Sequence, residues 1–130
     1  ESIINASLTA LLSTSEPNKR SRGGHSIHRA IVERARRYGV KIAFGTDAGV
    51  FPHGENAGEL ALMVRAGMRA EEALASATTG AAAILGMESE IGRLAPGYSA
   101  DIIAVDGNPL TDVTVLENVD WVMVRGVVVE

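Results

Sequence analysis

Lys41–Asn56, KIAFGTDAGVFPHGEN, runs from a short apolar stretch into a loop dense in polar groups. Lys41 to Phe44 reads as a short buried strand, because apolar, β-branched and aromatic residues bounded by glycine fit a pleated, covered surface. Gly45, Thr46, Asp47, Ala48 and Gly49 follow at once, and His53, Glu55 and Asn56 come within a few residues. A carboxylate between glycines at a strand end fits a turn. It also fits an active-site loop, where glycine lets the backbone approach a substrate. Spacing alone leaves both readings open.

Upstream, HSIHRAIVERARRYGV (residues 25–40) places Ile27, Ala30, Ile31, Ala35 and Tyr38 at helical spacing. Gly39 is placed to stop this helix, with Arg36 and Arg37 in the last turn, where cations suit the helix dipole. A helix, a glycine stop and the VKIAF run make an αβ unit, the pattern of α/β proteins with parallel strands. Residues 1–24 are harder to read. Ile3, Ile4, Leu8, Leu11 and Leu12 fit one face of a short helix, and STSEPNKRSRGG reads as a mobile loop.

Downstream, AGELALMVRAG reads as a helix closed by Gly67, and MRAEEALASATTGAAAILG as one or two Ala-rich helices interrupted near Gly80 and closed by Gly86. Small residues on several faces imply close packing. From residue 91 the pattern becomes β. IGRL and Ala100–Val105 read as strands, DGNP as a turn, and VDWVMVRGVVVE as a hairpin turning at Arg125-Gly126. The expected organisation is an uncertain helix and loop over residues 1–24, barrel-type βα units over 25–90, and β strands over 91–130.

The 130 residues are 46% hydrophobic with a net charge of −4, so a packed core is expected and a nucleic-acid partner is not. No cysteine is present, which excludes disulfides and Cys-based zinc sites and fits a cytoplasmic location. No run of about 18 apolar residues suggests a membrane helix. The first residues lack both an initiator Met and the basic region of a signal peptide.

Three segments together resemble the metal-dependent amidohydrolase superfamily, in its imidazolonepropionase-like and prolidase-type metallo-dipeptidase branch. VKIAFGTDAG resembles the last barrel strand with its metal-site aspartate. NAGELALMVRAGMRAEEALASATTGAAAILGM resembles the helices that follow it. IGRLAPGYSADIIAVDGNPL with WVMVRGVVV resembles the return of the chain into a small β-sandwich. The resemblance covers roughly residues 25 to 130, and the order and spacing of the pieces make it specific. It implies the C-terminal portion of a distorted (β/α)8 barrel, an α/β fold, followed by β-sandwich strands. It further implies one or two divalent metal ions, zinc foremost, at the C-terminal strand ends. Asp47 matches the aspartate that touches the metal centre and takes the proton from its water.

The chemistry agrees with that assignment. A carboxylate is a good ligand for zinc and other divalent ions, which lower the pKa of a bound water towards 7. A carboxylate hydrogen-bonded to that water can act as general base and then protonate a leaving amine. His53 is the candidate substrate contact, against the plainer reading of a loop histidine in water. Asn56 and Glu59 fit a capping box at the next helix start. His25 and His28, three residues apart, read as a solvated helix end, and Arg34, Arg36 and Arg37 as a solvated helix face. Met63, Met68, Met87, Met123 and Trp121 read as core or interface packing.

The family's His-x-His pair, its bridging lysine or glutamate and two later strand histidines have no match here. A barrel needs about 250 residues. The chain is therefore expected to be the C-terminal part of a larger enzyme, as a proteolytic product, a truncation or one polypeptide of a split protein. Its small-molecule substrate would be an amide or dipeptide, and the isolated chain is expected to be inactive and to need its missing N-terminal part or to self-associate. A non-catalytic association module is the competing reading. An anion-binding loop at GTDAG is weaker, because Asp47 would repel phosphate.

Overall fold

The structure, a computed structural model, describes residues 4–6 (as backbone), 30–46, 54 and 56–129. Two short strands, β1 (Ile4–Ala6) and β2 (Ile42–Phe44), pair in parallel with Ile4 opposite Ile42 and Ala6 opposite Phe44. Helix α1 reaches through residues 30–37 between them. Then come α2 (Gly58–Arg65), α3 (Ala70–Ala77) and α4 (Thr79–Leu85). Last are β3 (Ile102–Ala104), a 3-10 turn (Val113–Glu117), β4 (Trp121–Val124) and β5 (Val127–Val129). The chain is thus mixed α/β, with an antiparallel sheet ordered β3-β4-β5 at its end.

Parallel pairing corrects one expectation. Ile4 lies in a strand rather than on a helix face, and β2 is bonded on one side by β1. Such a pair needs a long connection and covering helices. Both α3 and α4 pack on β2.

Helix α1 stops as its sequence indicates. Gly39 adopts φ +64°, the left-handed region that costs a residue with a Cβ. Its N–H bonds the Arg36 carbonyl at 3.1 Å, and the Val40 N–H bonds that of Ala35 at 2.9 Å, the two bonds of a Schellman cap. Gly67 ends α2 in the same way, its N–H bonding the Val64 carbonyl at 2.9 Å and the Met68 N–H that of Met63 at 3.1 Å. The buried face of α1 differs from expectation. Val32 and Ala35 enter the interior, while Ala30, Ile31 (44% exposed) and Tyr38 (69%) face outward. The sequence holds two apolar stripes on this helix, and only contact with α2 and β2 selects between them.

Helix α2 is an interior helix. Glu59, Leu60, Ala61 and Met63 are all buried, Met63 to 1% exposure. The core joins Val32 of α1, these α2 residues, Met68, Ala73 of α3 and, from the 3-10 turn, Val113 and Leu116. Met63 and Met68 are core as expected, whereas Met87 and Trp121 are exposed.

The break between α3 and α4 falls at Thr78 (φ −127°, ψ −101°), two residues before Gly80. A Cβ at Gly80 would sit 2.7 Å from the Ala75 carbonyl oxygen and 3.9 Å from that of Ile42, so the absent side chain lets α4 close onto α3 and β2. The capping expected of Asn56 and Glu59 does not occur, since the N-cap of α2 is Ala57 and no side chain caps the helix. A glutamate returns to its cap one helix later, where Glu72 Oε2 accepts from the Arg69 N–H at 2.9 Å. Arg36 is not merely solvated. It bonds the Gly67 carbonyl at 3.3 Å and pairs with Glu72 at 3.0 Å, tying α1 to the end of α2 and the start of α3.

In the β segment, IGRL forms bends rather than a strand. Arg125 (φ 50°) and Gly126 (φ 79°) make the expected two-residue hairpin turn, with both residues left-handed as a type I′ turn requires. Asp101 holds it, accepting from Arg125 N–H at 2.8 Å and from Ser99 Oγ at 2.7 Å. Among the described residues no helix is long and apolar enough to cross a membrane.

Three outcomes follow. Gly80→Ala should destabilise the chain by about 2 kcal/mol in urea unfolding, because the contact is with backbone and cannot be relieved by a rotamer. Arg125→Asn should stabilise it by about 0.5 kcal/mol, since Asn tolerates the left-handed turn and leaves the backbone bond to Asp101 intact. The Ser99 hydroxyl and then the Arg125 N–H hold the Asp101 carboxyl below its ordinary 3.8. A lowered folded pKa adds stability that is present above about pH 3.8 and is lost as pH falls through the folded value. Asp101→Ala should remove that part of the acid transition, read from amide exchange at Arg125 and Gly126.

Candidate functional site

Because β1 and β2 are parallel and in register, their C-terminal ends lie side by side. Gly45 and Thr46 continue β2 at this end and are half-buried. Asp47, the candidate acid/base and metal ligand, is the next residue, and it lies outside the described residues, as do His53 and Glu55. His25 and His28 also lie outside them, so all three histidines of the chain do. The structure therefore describes the frame of the candidate site: a strand that leads into it and a helix that leaves it.

The helix that leaves is α2. Gly54, Ala57 and Gly58 line a cleft of about 360 Å³ at its start, and Glu117 from the 3-10 turn closes one side. The Glu117 oxygen Oε1 would stand 3.7 Å from a Cβ at Gly58. In the first turn of α2, Glu59 is 3% exposed and makes an interaction within the fold. The spacing from Asn56 places Glu59 in a capping box, whereas the fold buries it. Its burial was signalled only by its neighbours Leu60, Ala61 and Met63, which leave α2 no clearly polar face. Glu117 was not singled out, because nothing local connects it with a helix nearly sixty residues earlier.

Among the described residues no group of three or more His, Cys, Asp or Glu side chains can hold a metal ion. Three of the acids, Glu72, Asp101 and Asp112, are committed to structure. Glu72 is held below its usual carboxylate value, chiefly by the Arg69 backbone N–H and further by the Arg69 and Arg36 guanidinium groups, while burial pushes the other way. Asp101 and Asp112 are lowered by hydroxyl and amide donors from Ser99, Arg125 and Thr114. Two larger clefts lie away from the C-terminal ends of β1 and β2. One of about 500 Å³ separates α4 from β3, lined by Leu85, Leu94 and Ile103 among others. The other, about 370 Å³, opens by Lys41 at the opposite end of β2 from Asp47.

Known proteins share this fold. A crystal structure of a Xaa-Pro dipeptidase with methionine bound in its active site superposes with a TM-score of 0.74 at 48% sequence identity, covering 78% of this chain and 25% of that one. The ochratoxinase of Aspergillus niger is 40% identical over 92 residues, which are 69% of this chain and 19% of its own length. Its crystal structure matches with a TM-score of 0.71 at 33% identity, over 93% of this chain and 30% of that one. The imidazolonepropionase of Rubrobacter xylanophilus is 52% identical over 42 residues, 32% of this chain and 10% of its own. The chain spans less than a third of the length of each of these relatives. Residues 11–129 match the model of the amidohydrolase family, and with nearly the whole chain so matched, it belongs to that family.

Proposed function

We propose that the chain is the C-terminal part of a metal-dependent amidohydrolase, contributing the last strand–helix units of a (β/α)8 barrel and strands of a small β-sandwich. The observation that carries this reading is the strand β2, parallel to its neighbour and running through Thr46 into Asp47, in a chain of this family. Barrel enzymes place their chemistry at the C-terminal strand ends. The reaction is hydrolysis of an amide-type C–N bond in a dipeptide, an acyl-amino acid or a cyclic amide. Likeness to a Xaa-Pro dipeptidase supports that substrate class.

Asp47 takes a proton from the attacking water and passes it to the leaving amine, and His53 contacts the substrate. One or two divalent ions, zinc foremost, would make that water acidic when bound. The described residues do not hold such an ion by themselves, so ligands besides Asp47 are assigned to polypeptide beyond them. That polypeptide would also cover the exposed Leu94, Val127, Val128 and Val129. The same exposed residues and the absence of a ligand cluster among the described residues favour a second reading, a non-catalytic module that associates with copies of itself.

Two experiments separate these readings. In the complete polypeptide, Asp47→Asn should lower kcat on dipeptides or acyl-amino acids about a thousandfold with an unchanged melting temperature. Full activity of that variant would contradict the assignment. The 130-residue chain alone should be inactive and should sediment as associated species. A monomer of this length with rapid turnover would contradict the need for further polypeptide.

A further inference from the structure

At the N-terminal end of β2 a cleft of about 370 Å³ opens among α1, β2, α3 and α4. Its apolar lining includes Val40, Ile42 and Met68, and beyond Glu72 the helices α3 and α4 bring only small residues to it. Space therefore remains beside the strand, of the size and mostly apolar character of small-molecule sites. Three charged side chains also line it: Arg36, Lys41 and Glu72. Arg36 and Glu72 are paired at 3.0 Å. Each has a further partner, since Arg36 donates to the Gly67 carbonyl at 3.3 Å and Glu72 accepts from the Arg69 N–H at 2.9 Å. Ser76, 3% exposed, donates its hydroxyl proton to the Ala73 carbonyl at 2.6 Å. Lys41 is exposed and has no hydrogen-bond or ion-pair partner among the described residues. Its ammonium is the unused donor group at the mouth of the cleft. Two cations against one carboxylate give this lining a net positive charge.

We propose that this cleft binds a small aliphatic carboxylate, with the hydrocarbon body against Ile42, Ala75 and Ala83 and the carboxylate on the Lys41 ammonium. Charge selects this ligand class. A carboxylate only accepts hydrogen bonds, and an ammonium only donates them, three at a time. Bonds between two such ions are stronger than those between neutral groups. An aliphatic amine would meet a lining of its own sign. A neutral aliphatic molecule would gain the apolar contact alone. The cleft lies at the end of β2 opposite Thr46, so the proposal holds independently of any chemistry at the strand's C-terminal end.

The test is titration of the complete polypeptide with hexanoate and, separately, with hexan-1-ol, followed by amide chemical shifts. The expected result for hexanoate is saturable binding with a Kd of about 1 mM, reasonable for so small a ligand. The shifts should centre on Ile42, Ala75, Gly80 and Ala83. Hexan-1-ol should bind about tenfold more weakly, because it lacks the charge. Lys41→Ala, at an exposed position, should bring hexanoate down to the affinity of hexan-1-ol and leave that of hexan-1-ol unchanged. Ala83→Leu should fill the cleft and abolish both. Equal affinity of the native protein for the two probes overturns the proposal, as does unaltered hexanoate binding in Lys41→Ala. Absence of shifts at about ten times the expected Kd overturns it too, and shows that the cleft is closed by other polypeptide of the same protein.

Discussion

Parallel strands cannot be joined by a tight turn, so the pairing of Ile4–Ala6 with Ile42–Phe44 requires a crossover and a layer of helix to cover the strands. Most of the described structure answers that demand. Both α3 and α4 lie on β2, and α4 can do so closely because Gly80 places no side chain between it and the Ile42 carbonyl. The break at Thr78 lets two short helices follow a twisted strand where one long helix would diverge from it. Parallel pairing also fixes polarity. The two strands end together, and the segment carrying Asp47 leaves from that shared end.

The antiparallel sheet is attached to this layer through little surface. Val113 and Leu116 carry its apolar link to α2, and Gly92 passes within contact distance of Thr78. Inside the sheet, local chemistry suffices. The hairpin turns on Arg125-Gly126, and Asp101 fastens the turn to the start of β3. The C-terminal segment thus has its own local stability and a narrow connection to the helix that borders the candidate site. That helix, α2, is buried on more than one side, which suits it to hold both strand layer and sheet.

What the sequence made legible was local. Gly39, Gly67 and the Arg125-Gly126 turn were readable because a left-handed residue after a periodic stretch needs no distant partner. The Lys41–Phe44 strand was readable for the same reason. What failed depended on partners far along the chain. Ile4–Ala6 becomes a strand only because β2 lies beside it, and three residues carry no period. The α1 face was misjudged because Val32 and Ile31 are equally apolar, and the core chose Val32. Glu59 was read as a cap because its spacing from Asn56 permits one, yet Ala57 takes the N-cap position and the helix buries Glu59 in its first turn. Of the candidate site, Asp47 is an expectation from family resemblance and lies outside the described residues, while the Glu117 side of the cleft required the fold.

The chain belongs to the amidohydrolase family and spans about a quarter of a dipeptidase whose fold it shares. The central claim is that Asp47 works in a metal centre whose other ligands come from polypeptide beyond the described residues. The gene tests this most directly, through the coding sequence upstream of Glu1. The expected result is an in-frame His-x-His after a strand-like run, then a bridging Lys or Glu and two further strand histidines. A start codon immediately before Glu1, with no such ligands in frame or in a neighbouring gene, would contradict the claim.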